Sequence, residues 1–289
     1  MNRFTRERSL DFSFTFSEKI RFRCNAYYQR GVPALAMRLI PPEVRTLDEL
    51  NLPDILKRFT TQKQGFFLVV GPVGQGKTTT LASMIDRINR NRAEHIVTIE
   101  DPIEYMYEED KSFIDQREVR IDTPDFNSAL NSVFRQDLDV VMIGEMRGRE
   151  TMSAAVTAGE TGHMVFSTLH TNDAAQTIDR IIDTFPATQQ EQIRAQLASS
   201  LSGILSQRLV PRISGGRIPA YELLINNTAV ANLIREGRTH EIDTVIETSA
   251  DSGMVSMNQS LANLIRAEEV TVEEARRWTL KPRQLERMI

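Results

Sequence analysis

An eight-residue segment rich in glycine, Gly71-Pro-Val-Gly-Gln-Gly-Lys-Thr78, constrains the fold of this chain more than any other feature of its sequence. A strand-sized apolar run, Phe66 to Val70, precedes it, and an amphipathic stretch follows it to about Asn89. Glycines permit the tight backbone curl that joins a buried strand to the start of a helix. The sequence therefore predicts a strand–loop–helix unit at this point of the chain.

The pattern from residue 65 onward alternates between strands and helices. Apolar runs of strand length recur at His95 to Glu100, Val140 to Gly144 and His163 to Leu169. Helical patterns lie between them, near residues 124–134 and 150–158. Because parallel strands need crossover connections of this kind, the order predicts an α/β fold with a mainly parallel sheet and helices on both faces.

The first 40 residues have the two-residue periodicity of β-strands. Apolar residues alternate with polar ones on both sides of the polar stretch at 17–19, and Ala34 to Ile40 supplies a third strand. The alternating apolar residues are Leu10, Phe12, Phe14, Phe16, Ile20, Phe22 and Cys24. This predicts an antiparallel hairpin with one apolar face. We expect that face to be covered by another subunit or, preferably, by an upstream half of the same domain, and Pro41-Pro42 to mark the boundary.

The last 120 residues are rich in helical patterns. Thr188 and Glu191 form a capping box for a helix that carries apolar residues at helical spacing. These apolar residues are Ile193, Leu197, Leu201, Ile204 and Leu205. Ser256 and Thr271 are predicted caps of two further helices, and Tyr221 to Ile225 is predicted as a short strand. We therefore expect a helical extension packed on the α/β core.

The loop at 71–78 matches the pattern G-x-x-x-x-G-K-[ST] at every fixed position. Backbone N–H groups of such a loop converge on phosphate oxygens at the positive end of the following helix. Lys77 is placed to reach the β and γ phosphates of ATP, and the Thr78 hydroxyl to bind Mg²⁺. The predicted nucleotide-binding residues of the loop are Gly71, Pro72, Val73, Gly74, Gln75, Gly76, Lys77, Thr78 and Thr79.

Two acidic segments follow apolar strands. Asp139-Val-Val-Met-Ile-Gly-Glu145 ends in a carboxylate that is placed to approach the Mg²⁺–water shell. Glu100-Asp101-Pro-Ile-Glu104 follows the strand that ends at Glu100, so its carboxylates should lie at the same sheet edge. Hydrolysis of ATP needs a group that orients the attacking water, and either Glu104 or Glu100 can serve.

Two histidines, His163 and His170, bracket the apolar segment at 164–169. An imidazole near a strand end can contact the γ-phosphate, although a packing or capping role is the more frequent one. Seven residues of extended chain separate the two side chains by roughly 20 Å or more. A metal ion bound by both is therefore not expected.

Composition excludes several other classes of protein. The 289 residues carry a formal net charge of −4 with charges well mixed, which argues against binding of nucleic acid. A single cysteine, Cys24, excludes a disulfide framework and a four-cysteine zinc module. The sequence contains no transmembrane-length apolar run and no signal-peptide pattern. The expected location is the cytoplasm.

Four motifs together resemble the secretion ATPase superfamily, specifically the PilT-type twitching-motility ATPases. They are GPVGQGKTTTLA at the loop, TIEDPIEY at 98–105, RQDLDVVMIGEMRGRET at 135–151 and TGHMVFSTLHT at 161–171. RFRCNAYYQRG at 21–31 and MRLIP at 37–41 resemble the end of a PAS-like domain, and AVANLIREGR at 229–238 resembles a retraction-linked segment. The resemblance implies a partial PAS-like domain at 1–42 and a RecA-like ATPase domain at 43–289, whose helical C-terminal region begins near 228.

The resemblance also implies roles for individual residues. Glu104 would be the catalytic base and Glu145 the Walker B acid at the magnesium, with His163 and His170 as the His-box residues. Arg23 and Arg38 match arginines that reach the nucleotide. The family further implies a hexameric homo-oligomer bound to an inner-membrane pilus platform protein at the pilus base, with a paralogous ATPase as a further partner.

Three alternatives remain open from the sequence. A pilus-assembly or type II secretion motor of the same superfamily is disfavoured by the single cysteine and the short chain. An accessory subunit that binds nucleotide with little turnover is motivated by the incomplete N-terminal domain. A nucleic-acid translocase is disfavoured by the acidic balance of the chain.

Overall fold

The structure, a computed structural model, describes residues 2–17, 20–40 and 43–289. The predicted polar break at Glu18-Lys19 and the predicted boundary at Pro41-Pro42 lie outside the described residues. The N-terminal part consists of helix α1 (Asn2–Glu7) and strands β1 (Ser9–Ser17), β2 (Ile20–Gln29) and β3 (Val32–Ile40). Its sheet is antiparallel with the order β1-β2-β3, which confirms the predicted hairpin and third strand.

The two faces of the N-terminal sheet differ in polarity. Arg23 pairs across the strands with Arg38 and with Ser13, and this polar face lies against the rest of the molecule. The opposite face is apolar and, within the described residues, largely uncovered: Leu39 is 58% exposed and Phe14 45%. The apolar face that the sequence predicts is therefore present.

A seven-stranded sheet forms the centre of the molecule, with the order β10-β9-β4-β8-β7-β5-β6. All neighbours pair in parallel except β10, which is antiparallel to β9. Its strands are β4 (Gly65–Val70), β5 (His95–Glu100), β6 (Phe113–Glu118), β7 (Val140–Ile143), β8 (Met164–Leu169), β9 (Leu201–Pro211) and β10 (Arg217–Ile225). Strands β4, β7 and β8 are buried at every residue, as expected for parallel strands covered on both faces.

Helices connect the parallel strands and cover the sheet. They are α2 (Leu56–Phe59), α3 (Lys77–Asn91), α4 (Phe126–Val133), α5 (Arg149–Glu160), α6 (Ala174–Asp183) and α7 (Ala187–Ser200). Helix α3 packs on β4 and β8, and α5 packs on β4, β8 and α7. The predicted α/β architecture with a mainly parallel sheet is confirmed.

Five helices follow β10, with short 3-10 turns at Thr239–Glu241 and Ala250–Ser252. They are α8 (Thr228–Glu236), α9 (Ile242–Thr248), α10 (Met257–Arg266), α11 (Val272–Trp278) and α12 (Pro282–Leu285). The caps predicted at Ser256 and Thr271 are confirmed, because Ser256 accepts a hydrogen bond from Gln259 N and Thr271 accepts one from Glu274 N. The capping box predicted at Thr188 is wrong, because α7 begins at Ala187 after Pro186 and no side chain caps it. Helices α10, α11 and α12 enclose a second, smaller apolar core against β9 and β10, whereas α8 and α9 pack on the main core.

The predicted helix through Leu205 is wrong in its second half. Helix α7 ends at Ser200, and Leu201 begins β9, which is inserted between β4 and β10. Pairing on both sides satisfies the strand's backbone groups, and this long-range gain overrides the local helical spacing. Gly203 suits this position, because a Cβ there would lie 2.8 Å from the carbonyl oxygen of Leu224. The predicted helical extension therefore contributes β9 to the central sheet, beside β10, whose residues 221–225 were predicted as a strand.

Candidate nucleotide-binding and catalytic site

The predicted site segments meet at one edge of the central sheet. Val70 pairs in register with Leu169, and Ile143 pairs with Ser167 and Ile99. The segments that leave these strands therefore emerge side by side. They are the loop at 71–78, His170, Glu145 and the acidic segment at 100–104. Ligands of open α/β sheets bind at this carboxyl edge.

The glycine-rich loop has the conformation that phosphate binding requires. Gly76 is the left-handed residue directly before α3, with φ 77°, and Gly71 has φ 144°. A Cβ on Gly71 would lie 2.4 Å from the carbonyl oxygen of Gln207, so only glycine fits there. Helix α3 begins at Lys77 and is 15 residues long, and the loop precedes its N-terminus. Its free N–H groups and helix dipole favour an anion at this place.

Lys77 is buried beneath the loop. Its Nζ donates hydrogen bonds to the carbonyl oxygens of Gly71, at 2.8 Å, and Pro72, at 3.0 Å, and lies 3.1 Å from His170 Nδ1. Burial lowers the pKa of Lys77 to about 8, although the nearby carboxylates of Glu145 and Glu104 oppose this shift. A phosphate in the loop would supply the negative partner that this ammonium group lacks.

His170 lies between the loop lysine and the strand-end acid. Its Nε2 is 3.4 Å from Glu145 Oε1, while Nδ1 faces Lys77. Arg147 donates a hydrogen bond of 2.9 Å to the other oxygen of Glu145. Burial raises the pKa of Glu145, but Arg147, His170 and Lys77 outweigh it and bring the pKa below its usual value. The Glu145 carboxylate is therefore ionised at neutral pH, as a group near a cation must be.

The two candidate bases differ in accessibility. Glu100 is 4% exposed, accepts a hydrogen bond from Thr98 Oγ1 and lies 3.4 Å from Glu104 N. Burial raises the pKa of Glu100 to about 7. Glu104 is partly exposed, and Arg23 Nη1 of the N-terminal sheet donates a hydrogen bond to its Oε1. Glu104 is thus accessible to a water molecule, whereas Glu100 supports the backbone of the segment that carries it.

The N-terminal sheet contributes a second ion pair beside the site. Arg21 Nη2 lies 3.2 Å from Glu118 Oε2, and the same oxygen accepts hydrogen bonds from Ser13 Oγ and Ile103 N. Neither Arg21 nor Glu118 was among the predicted site residues. Arg38 is the cross-strand neighbour of Arg23 on this polar face and is exposed.

The structure does not bring His163 to the site. His163 precedes β8 at the N-terminal edge of the sheet, where its carbonyl oxygen accepts a hydrogen bond from Gly65 N. The length of a six-residue strand, about 20 Å, separates this edge from the phosphate loop. Its ring packs edge-on against Phe134 and lines a surface cavity of about 760 Å³. Within this chain, the expected contact of His163 with nucleotide is therefore not supported.

Gln207 and Tyr105 contact the site but were not among the predicted site residues. Gln207 of β9 contacts the loop and α3, and the Tyr105 hydroxyl lies 2.9 Å from Thr79 Oγ1. The signal for Gln207 is weak, because it is one of three consecutive polar residues, 206–208, within a largely apolar strand. That signal is readable only once the segment is assigned as a strand.

The donor set suits Mg²⁺ held together with a nucleotide. Thr78 supplies a hydroxyl and Glu145 a carboxylate, and Mg²⁺ in nucleotide sites takes its other ligands from phosphates and water. Residues 2–17, 20–40 and 43–289 hold no group of three or more His, Cys, Asp or Glu side chains able to bind a metal alone. In the same ranges, no helix combines the length and apolarity that a membrane span requires.

Comparison with known proteins places this geometry in a family. The family model described as Type II/IV secretion system protein matches residues 3–283. The Twitching motility protein of Neisseria gonorrhoeae is 47% identical over 269 residues, which are 93% of this chain and 72% of that protein. The type IV pilus retraction ATPase PilT of Pseudomonas aeruginosa is 44% identical over 266 residues, which are 92% of this chain and 77% of that protein.

A solved structure extends the likeness to three dimensions. The crystal structure of the pilus retraction motor PilT with bound ADP has a TM-score of 0.92 and 47% identity. The match covers 99% of this chain and 82% of that chain. The predicted RecA-like α/β core is confirmed, and the three-stranded N-terminal sheet agrees with the predicted partial PAS-like segment.

Proposed function

This chain belongs to the type II/IV secretion system protein family, and we propose that it is the ATP hydrolase that powers retraction of type IV pili. The observation that carries the proposal is the meeting of Lys77, His170 and Glu145 beneath a glycine-rich loop at the carboxyl edge of the sheet. The relatives named for twitching motility and pilus retraction match more than nine-tenths of the chain. This agreement supports the retraction function over the other motors of the family.

We assign the residues of the loop to ATP binding. The backbone N–H groups of the loop, which Pro72 lacks, would surround the β and γ phosphates, and the ammonium group of Lys77 would replace its carbonyl partners with phosphate oxygens. Thr78 and Glu145 would hold Mg²⁺, which supplies charge neutralisation to the phosphates when bound. His170 would hold the side chains of Glu145 and Lys77 in place and would contact the γ-phosphate of bound ATP.

Hydrolysis requires a water molecule in line with the bond between the γ phosphorus and the β–γ bridging oxygen. Glu104 would accept a hydrogen bond from this water and take its proton as the new P–O bond forms and the bridging oxygen leaves with ADP. Because Arg23 now pairs with Glu104, this arginine must move away before the carboxylate can act. The phosphates offer Arg23, and Arg38 beside it, a competing negative partner.

The finer features of the function follow from the same family. We propose a hexameric ring in which nucleotide lies between the N-terminal sheet and the ATPase domain of the assembly. The ring would be cytoplasmic, peripheral to the inner membrane at the pilus base, and would act on a platform protein there. Rotation of the N-terminal sheet relative to the ATPase domain on hydrolysis would transmit the force.

The test is Mg²⁺-dependent ATP turnover by the purified chain, together with its mass in solution. Lys77→Ala should abolish nucleotide binding, whereas Glu104→Gln should retain binding and lower kcat about 100-fold or more. Glu191→Gln, an exposed acid on α7, is the matched control and should retain turnover.

Three outcomes separate the candidate functions. A six-fold assembly whose turnover is lost in both variants supports a motor, and restoration of twitching in a retraction-deficient strain supports its direction. A monomer that binds ATP without turnover supports the accessory-subunit function instead. Turnover that survives Glu104→Gln would overturn the assigned base.

A further inference from the structure

Strand β9 forms the wall behind the phosphate loop. It pairs with β4 in register, so that Ser206 lies beside Val70, the last residue before the loop. The next residue, Gln207, is therefore level with Gly71. Its carbonyl oxygen occupies the place that a Cβ of Gly71 would need. The loop and Gln207 are thus in contact at the point where the loop begins.

The side chain of Gln207 reaches the far end of the loop. It is buried, and both of its polar atoms have partners: Nε2 donates to the carbonyl oxygen of Gln75 at 2.7 Å, and Oε1 accepts from Thr80 Oγ1 at 2.7 Å. Leu209 N in turn donates a hydrogen bond of 2.7 Å to Gln75 Oε1. Strand β9 therefore contacts the start of the loop at Gly71, its end at Gln75 and the first turn of α3 at Thr80.

We propose that Gln207 is a positioning residue that holds the phosphate loop in its binding conformation before nucleotide arrives. This inference rests on the proposed function, because it concerns the same ATP site. Gln207 touches neither a reacting atom nor the groups assigned to the chemistry. It acts by fixing the carbonyl group of Gln75, and with it the direction of the neighbouring N–H groups.

The amide is the side chain that this position requires. It must donate to a carbonyl oxygen and accept from a hydroxyl group at the same time, and an amide has both functions. A carboxylate in its place would face the carbonyl oxygen of Gln75 without a proton and would add negative charge beside the phosphates. A methionine has a similar size and flexibility and makes neither bond.

The affinity for nucleotide depends on how much of the time the phosphate loop is in its binding conformation. A loop that samples other conformations binds nucleotide less tightly, because affinity falls with the fraction of the competent conformer. Loss of the two hydrogen bonds of Gln207, one to the loop and one to the first turn of α3, corresponds to a decrease in affinity of about tenfold. The transition state uses the same loop contacts as bound ATP, so that KM rises more than kcat falls.

The experiment compares Gln207→Met with wild type by titration of a fluorescent ADP analogue and by steady-state turnover. The expected result is a dissociation constant raised about tenfold, a similar rise in KM for ATP and a kcat lowered less than threefold. Gln207→Glu should bind more weakly still. Gln196→Met, which removes a glutamine contact to Glu160 far from the loop, is the control and should match wild type.

Hydrogen exchange of the nucleotide-free proteins distinguishes positioning from general stability. Gln207→Met should speed exchange of the amides at 71–80 while leaving those of α8 to α12 unchanged, and Thr80→Val should give a smaller change of the same sign. Wild-type affinity and wild-type loop exchange in Gln207→Met, or in Thr80→Val if the former fails to fold, overturn the positioning role. Failure of the wild-type protein to bind nucleotide overturns the proposed function as well.

Discussion

Lys77 shows how a single buried charge prepares the site for its ligand. Its ammonium group is held by two carbonyl oxygens and by the imidazole of His170, none of which carries a formal negative charge. The nearest opposite charges, Glu145 and Glu104, act without a direct hydrogen bond and do not offset the cost of burial. The site is therefore short of negative charge at the place where phosphate oxygens bind.

This electrostatic balance predicts a pH dependence of nucleotide affinity. Phosphate binds best to protonated Lys77, whose pKa without nucleotide is about 8. The dissociation constant for the fluorescent ADP analogue should therefore rise about tenfold between pH 7 and pH 9. Titrations across this range measure it. Lys77→Arg, which keeps its charge throughout, is the control, and an equal slope in that variant would show that another group titrates.

The lowered pKa of Lys77 also makes the free energy of unfolding depend on pH. The folded-state pKa of about 8 lies below the ordinary lysine value of 10.5, so the unfolded chain binds more protons between these two pH values. The contribution of Lys77 to the free energy of unfolding therefore increases as pH rises through this window. Ligand binding and folding thus respond to pH in opposite directions.

At the scale of elements, the sequence predicted best those site residues that directly follow a strand. The phosphate loop, Glu104 and Glu145 each lie in a segment that follows a strand, and parallel pairing necessarily brings the carboxyl ends of strands together. His163 was expected at the site from its motif, yet it precedes β8 along the chain, and in a parallel sheet that end of the strand lies at the edge opposite the phosphate loop.

Contacts between segments that are far apart in the sequence could not be predicted from local sequence patterns. Gln207 and Gln75 are 132 residues apart, and their contact depends on β9 being a strand beside β4. The helical spacing from Ile193 to Leu205 was a genuine local preference, and pairing with two neighbouring strands overrode it. Arg21 and Glu118 depend likewise on how the N-terminal sheet packs, which no local pattern encodes.

The contact between Arg21 and Glu118 predicts how the N-terminal sheet is attached. Glu118 is buried and accepts hydrogen bonds from Ser13 Oγ and Ile103 N as well as pairing with Arg21. Glu118→Ala leaves these donors unsatisfied and should lower the free energy of unfolding by about 3 kcal/mol. Chemical denaturation measures this loss, and limited proteolysis should release fragments from residues 2–40 more rapidly.

An exposed ion pair is the matched control for this change. Glu273→Ala removes a carboxylate that pairs with Arg277 on the surface of α11, and its effect on stability should stay within about 0.5 kcal/mol. If Glu118→Ala is as mild as Glu273→Ala, the buried contact does not attach the sheet.

At the scale of the whole molecule, one ion pair joins the N-terminal sheet to the catalytic segment. Arg23 of β2 pairs with Glu104, the proposed base, so under the proposed function the same carboxylate would hold the sheet without nucleotide and act on water with it. If the phosphates of ATP compete for Arg23, as we propose, binding of nucleotide and release of Glu104 are linked, and nucleotide binding would alter how the N-terminal sheet is held.

This linkage predicts the behaviour of Glu104→Gln, which should still bind ATP while hydrolysing it at least about 100-fold more slowly. Without nucleotide, the neutral amide is a weaker partner for Arg23, so amide hydrogen exchange across β1 to β3 should be faster than in wild type. Mg²⁺ and ATP should slow it again, because phosphates then replace the lost carboxylate as the partner of Arg23. Arg23→Ala, which removes the shared partner, should show fast exchange in both states. If ATP slows exchange in Arg23→Ala as much as in Glu104→Gln, the nucleotide holds the sheet by another route and Arg23 does not carry the linkage.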